Sequence, residues 1–123
     1  MSNWTEDELQ RIAGTDDLHI SPLREDNLTH GTLTWIWSVV VGGKLFVRAY
    51  NGQASRWYRA AMRQKHGQIT SAGMTRDVLF RSADIEAQDA ISAAYRAKYG
   101  SSPYLKPMIG LQAQSATVEI SPC

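Results

Sequence analysis

Within the segment Arg48–Arg59, RAYNGQASRWYR, three arginines, three aromatics, an Asn-Gly turn and a helix-capping serine stand close together. Ser55 suits the N-cap of a helix over RWYRAAMRQKH, and such an N-terminus presents unpaired backbone N–H groups and the positive end of a dipole. Arg48 and Arg56 flank that end, which makes it a site for a phosphate or carboxylate. Trp35, Trp37 and Tyr50 lie on the strands just before it and offer flat surface for a ring system. Arg48→Ala is therefore expected to weaken binding of such a ligand more than it weakens the fold. A competing reading makes Arg56, Arg59, Arg63 and Lys65 a solvated helix face and the tryptophans a dimer interface. Composition favours the second, because exposed aromatic surface more often meets protein than cofactor.

Other chemistry finds little support. His19, His30 and His66 are far apart and show no zinc spacing, so no metal site is expected. There is no phosphate-loop or dinucleotide glycine pattern, and no Ser–His–Asp set stands out among the serines. No residue is singled out as catalytic. Thr5 with Glu8 three residues on is a capping box, which explains the acidic opening without acid–base chemistry. Cys123, the lone cysteine, cannot form an internal disulfide and points to a reducing compartment.

The 123 residues suffice for one domain, 1–123, with a single core. Hydrophobic content of 43% and charge of 20% belong to an ordinary globular chain. With a net charge of +1, no bulk attraction to nucleic acid or anionic lipid is expected, and anion binding has to be local. The polar opening MSNWTEDELQ predicts no signal or transit peptide, and Trp35–Val41 is too short to span a bilayer. The cytoplasm is the expected location.

The elements that position these residues follow from pattern. A first helix begins at the capping box and ends at Gly14. DLHIS, ending at Pro22, reads as a short edge strand, and residues 24–32 as a polar loop. LTWIWSVVV and KLFVRAY, joined by Gly42-Gly43, form a hairpin with a primed turn. That turn pairs Val41 with Lys44, Val39 with Phe46, Trp37 with Arg48, and Trp35 with Tyr50. One face, with Ile36, Val40, Leu45 and Val47, looks like core. The other, with Trp35, Trp37, Val39, Phe46, Arg48 and Tyr50, needs a separate cover. A homodimer through Trp35, Trp37 or Phe46 is one such cover. Beyond the helix that starts at Ser55 and stops at Gly67, two strands surround a turn near Ala72-Gly73. A helix over 84–99, a loop marked by Pro103 and Pro107, and a last strand through Ala116, Val118 and Ile120 complete the order. The expected class is α+β, mainly β: a six-stranded antiparallel barrel with an N-terminal helix and two further helices packed on it.

The strings TWIWSVVV, LFVRAYNG, SRWYRA and AYRAKYG resemble a bacterial family known as domain of unknown function 2255, over nearly the whole chain. That resemblance brings no established activity. A more distant one is to deazaflavin-dependent nitroreductase-like proteins of the FMN-binding split-barrel group, through strand, Asn-Gly, short gap, Trp-Tyr and helix. It implies a dimeric six-stranded split barrel holding FMN or a deazaflavin. On it, Asn51, Gly52, Trp57 and Tyr58 occupy the motif, with Arg48 on the preceding strand. The Arg- and Gly-rich loop of those proteins is replaced here by Thr29-His30-Gly31-Thr32. Two functions therefore compete: a flavin- or deazaflavin-dependent oxidoreductase, and a dimeric small-molecule-binding or scaffold module without cofactor.

Overall fold

The computed structural model describes residues 3–26 and 28–123; Met1 and Ser2 of the acidic opening and Asn27 of the polar loop lie outside the described residues. Helix α1 (Glu6–Ala13) starts at the expected capping box. The Glu8 amide donates to Thr5 Oγ1 at 3.1 Å, and the Thr5 amide donates to Glu8 Oε1 at 3.0 Å. Leu9 and Ile12 on its inner face are buried.

Seven strands form one antiparallel sheet: β1 (His19–Pro22), β2 (Thr34–Trp35), β3 (Ser38–Val41), β4 (Lys44–Arg48), β5 (His66–Ser71), β6 (Met74–Ser82) and β7 (Thr117–Pro122). Their spatial order is β2-β1-β5-β6-β7-β4-β3. The Gly42-Gly43 turn has φ of +57° and +76°, positive at both central residues as a primed turn requires. It sets Val41 opposite Lys44 and Val39 opposite Phe46, as the sequence predicts.

The expected six strands become seven because the run LTWIWSVVV breaks at Ile36-Trp37. Thr34 and Trp35 leave the hairpin and pair with Ile20 and His19, and the Ile36 amide donates to the Leu18 carbonyl at 3.0 Å. The expected pairs of Trp37 with Arg48 and Trp35 with Tyr50 are thus not part of the β3–β4 ladder. Strand β1, read as an edge, is flanked by β2 and β5. The break also sets the shape. Strands β2 and β3 end the sheet at opposite sides, yet only two residues separate them. Three peptide steps reach roughly 11 Å at most, so the sheet curls into a half-barrel until its ends approach.

Two apolar layers result. Ile20, Leu45, Val47, Ile69, Val78, Phe80, Val118 and Ile120 fill the inside of the curl with α1. On the other face, α3 (Gln88–Tyr99) lays Ile91, Tyr95 and Tyr99 over Val39 and Phe46. The chain thus covers with its own helix much of the hairpin face expected to need a separate cover. Phe46 is only 3% exposed. Trp37 stacks on Tyr99 with ring centroids 4.0 Å apart and 2° between planes.

Helix α2 (Arg56–Gln64) follows Ser55 as expected but stops at Lys65, whose φ is 59°; Gly67 lies within β5, opposite Pro22. The predicted helix over 84–99 opens instead with a 3-10 turn at Ile85–Ala87. Around Pro103 and Pro107, two short helices replace the expected loop: α4 (Leu105–Met108) and α5 (Leu111–Gln114). No helix among the described residues is long and apolar enough to cross a membrane.

Candidate functional site

Strand β4 ends at Arg48, where the Ala49 amide still donates to the Ala116 carbonyl at 3.1 Å. The chain then tightens into a 3-10 turn over Gly52–Ala54, and Ser55 is extended before α2 begins. Helix α5 braces this corner. Gln112 Nε2 donates to the Asn51 carbonyl at 3.1 Å, and Gln53 Nε2 donates to the Ser115 carbonyl at 3.0 Å.

A cleft of about 710 Å3 opens beside the corner. Trp35, Trp37, Arg48, Tyr50, Asn51, Ser55, Arg56 and Trp57 all line it, eight of the ten residues singled out from sequence. The other two do not. Gly52 packs against Gln112, and Tyr58 is half-buried against the inner core with its ring edge-on to Trp57. Thr34, Ile36, Tyr104 and Met108 complete the walls and carried no signal in the sequence. Tyr104 arrives from beyond α3 and meets Tyr50 edge to face at 6.3 Å.

Trp35 is fixed although 53% exposed, because its indole N–H donates to the Asp16 carbonyl. Ser55 makes no side-chain capping bond, so its hydroxyl and the first-turn amides of α2 remain available at the cleft. Among the described residues, the Arg56 guanidinium has no side-chain ion pair.

Arg48 differs from the sequence expectation. It is 1% exposed, and all five of its N–H donors are committed to the fold. Nε donates to Thr117 Oγ1 at 3.1 Å, and Nη1 to Ser92 Oγ at 2.9 Å and the Met108 carbonyl at 3.0 Å. Nη2 donates to the Gln88 carbonyl at 3.2 Å and to Gln88 Oε1 at 2.9 Å. The Tyr95 ring lies 5.3 Å from its guanidinium carbon. Every one of these partners is uncharged. Burial lowers the Arg48 pKa from its usual value and pushes the Tyr95 hydroxyl upward. Arg48 therefore floors the cleft as a positive charge, and its hydrogen bonds hold β4, α3, α4 and β7 together.

Among the described residues, no carboxylate, imidazole, thiol or amine lines this cleft. It offers aromatic surface, a helix N-terminus and two guanidiniums. Among the described residues, no three His, Cys, Asp or Glu side chains gather as metal ligands.

The fold and site thus define a small antiparallel half-barrel with an aromatic cleft that has Arg56 at its helix end. A family model described as an uncharacterized protein conserved in bacteria (DUF2255) matches residues 8–120, and the chain belongs to that family. The chain is also similar in structure to a conserved hypothetical protein from Mycobacterium tuberculosis, with 14% identity and a TM-score of 0.64. That similarity covers 98% of this chain and 80% of the other, and it is a likeness of fold. No curated protein matches the chain.

Proposed function

We propose that the cleft binds a flat heteroaromatic ligand bearing a phosphate, of the FMN or deazaflavin class, and that the protein is an oxidoreductase using it. The half-barrel is, on this reading, a split barrel of the FMN-binding kind. The observation that carries the proposal is the make-up of the cleft: five aromatic side chains, Arg56 and Ser55 at the start of α2, and, among the described residues, no carboxylate, imidazole, thiol or amine. A cleft so furnished performs chemistry through a bound group.

The residues present suit that group. The Ser55 hydroxyl, the Arg56 guanidinium and the first amides of α2 hold the phosphate. Trp35, Tyr50, Trp57 and Tyr104 receive the ring, and the Trp37–Tyr99 stack keeps one wall rigid. Arg48 would add positive charge to the cleft floor without releasing its own partners. A flavin or deazaflavin supplies hydride transfer when bound. The chain supplies position, electrostatics and exclusion of water.

The exposed aromatics favour a second element of the reading. Trp35, Tyr50 and Tyr104 at the cleft are 53%, 45% and 60% exposed. A second copy of the chain, seated symmetrically over that mouth, would cover them and close the site. A dimer that binds a ligand without turnover is the alternative. Incubating the purified protein with FMN or a deazaflavin, followed by gel filtration, tests the main reading. The expected result is a protein peak that carries the cofactor's visible absorbance; a colourless peak with both would contradict it.

A further inference from the structure

A second cavity, of about 520 Å3, adjoins the first, and Thr34, Arg56 and Trp57 line both. One wall is a face of α2 on which Arg56, Arg59 and Arg63 recur at helical spacing. The other is the loop after β1, which contributes Arg24 and Glu25. That loop is tied down on both sides. Gln64 Nε2 of α2 donates to the Arg24 carbonyl, and Ser21 Oγ of β1 donates to the Gly31 carbonyl at 2.8 Å.

The lining therefore holds four guanidiniums and one carboxylate. Asp26 on the same loop engages the Leu28 and Thr29 amides and the Thr29 hydroxyl. Among the described residues, none of the four arginines forms an ion pair. Among the described residues, the only side-chain hydrogen bond from them is a long one, Arg59 Nε to the Gln53 carbonyl at 3.4 Å. The arrangement also opposes helix physics. The first turn of α2 has no acidic residue, yet Arg56 and Arg59 stand at the positive end of its dipole. Like charges at this spacing weaken a helix further. Nothing in the first turn of α2 offsets this charge, and Glu25 is the one carboxylate in the groove's lining among the described residues; breaks of a local rule like this one are expected at functional or strained sites.

We propose that this groove is an anion subsite continuous with the aromatic cleft, and that it takes a chain of two or more phosphates, with Arg56 at the junction. The inference rests on the preceding reading only for the flat group at the ligand's other end. Guanidinium forks at the spacing of successive helical turns suit a row of phosphates better than a single one.

Calorimetric titrations with tripolyphosphate, orthophosphate and riboflavin test this on the wild type and on an Arg59→Gln/Arg63→Gln double variant. Neither substituted residue lines the aromatic cleft. The wild type should bind tripolyphosphate about tenfold or more tighter than orthophosphate, and added salt should weaken that binding. The double variant should lose the preference while its riboflavin titration stays unchanged and its thermal midpoint does not fall, relief of like-charge repulsion on α2 acting to raise it. Equal tripolyphosphate affinity in wild type and variant would overturn the subsite, as would no preference over orthophosphate. A tripolyphosphate preference that depends on the two arginines, without riboflavin binding, would uphold the groove and count against the flavin reading.

Discussion

At Arg48 a full positive charge sits in the interior with only neutral partners, and its five donors are satisfied by four residues: Thr117, Ser92, Met108 and Gln88. Removing it leaves buried acceptors unpaired on three elements at once. Arg48→Met is therefore expected to cost about 3 kcal/mol or more of stability, at about 1–3 kcal/mol for each buried acceptor left unpaired. Arg56→Met, at an exposed position, should cost less than about 0.5 kcal/mol. Urea unfolding of the two variants checks this, and equal midpoints would contradict it. Ser38 is the opposite case. Its hydroxyl is buried without a partner, while its backbone amide and carbonyl are engaged by Tyr99 and Lys98. Ser38→Ala removes an unsatisfied polar group and should raise stability, by up to about 1 kcal/mol. A lower urea midpoint would mean that the hydroxyl has a partner in solution.

Among the elements, α2 and its stop carry the next expectation. Lys65 closes the helix in the left-handed region, its amide donating to the Ala61 carbonyl at 2.8 Å. Its side chain is exposed, so Lys65→Gly relieves backbone strain and removes little packing. A gain of about 1 kcal/mol is expected, read as a higher thermal midpoint. This stop was hard to read because Gly67, two residues on, is the stronger punctuation in sequence. The hairpin shows what pattern can and cannot supply. Gly42-Gly43 announced its own turn and register. The break at Ile36-Trp37 was hidden, because alternation of side chains looks the same whether a strand continues or changes partner. The Arg48–Arg59 corner was legible because its parts are neighbours in sequence. Tyr104 and Met108 reach the cleft only through α3 and α4, and nothing local to SSPYLKPM signals that contact.

For the whole molecule, the curl of the sheet depends on joins between distant segments, and two of these are carboxylates. Asp17 accepts from the Ser71 hydroxyl at 2.9 Å and from the Ala72 amide at 3.0 Å, tying the approach to β1 to the β5–β6 turn. Glu8 pairs with Arg76 of β6 at 2.9 Å while completing the capping box. Hydrogen bonds hold both carboxyls below their ordinary values of 3.8 and 4.5, chiefly from the Ala72 amide for Asp17 and the Thr5 amide for Glu8. Their contribution is complete above those values and is lost as pH falls through the lower, folded-state values. Thermal midpoints should thus be flat near neutrality and fall below about pH 4.5, and Asp17→Asn should flatten that fall. An unchanged acid slope in the variant would contradict the assignment. Topology at this scale was the least legible part of the sequence. That α3 would cover the second hairpin face depends on β7 inserting between β6 and β4, a pairing across long separations that no local pattern encodes.

The cleft's role as a site for a flat ring carrying a phosphate is tested most directly by tryptophan fluorescence. Wild type and Arg56→Gln should each be titrated with FMN and with riboflavin. Trp35, Trp37 and Trp57 line the cleft, so a ring bound there should quench them. FMN should bind the wild type about tenfold or more tighter than riboflavin does, the worth of a charged hydrogen bond to the phosphate. Arg56→Gln should remove most of that difference and leave riboflavin unchanged. No quenching by either compound at near-millimolar concentration would contradict the account, as would an FMN advantage that survives in Arg56→Gln.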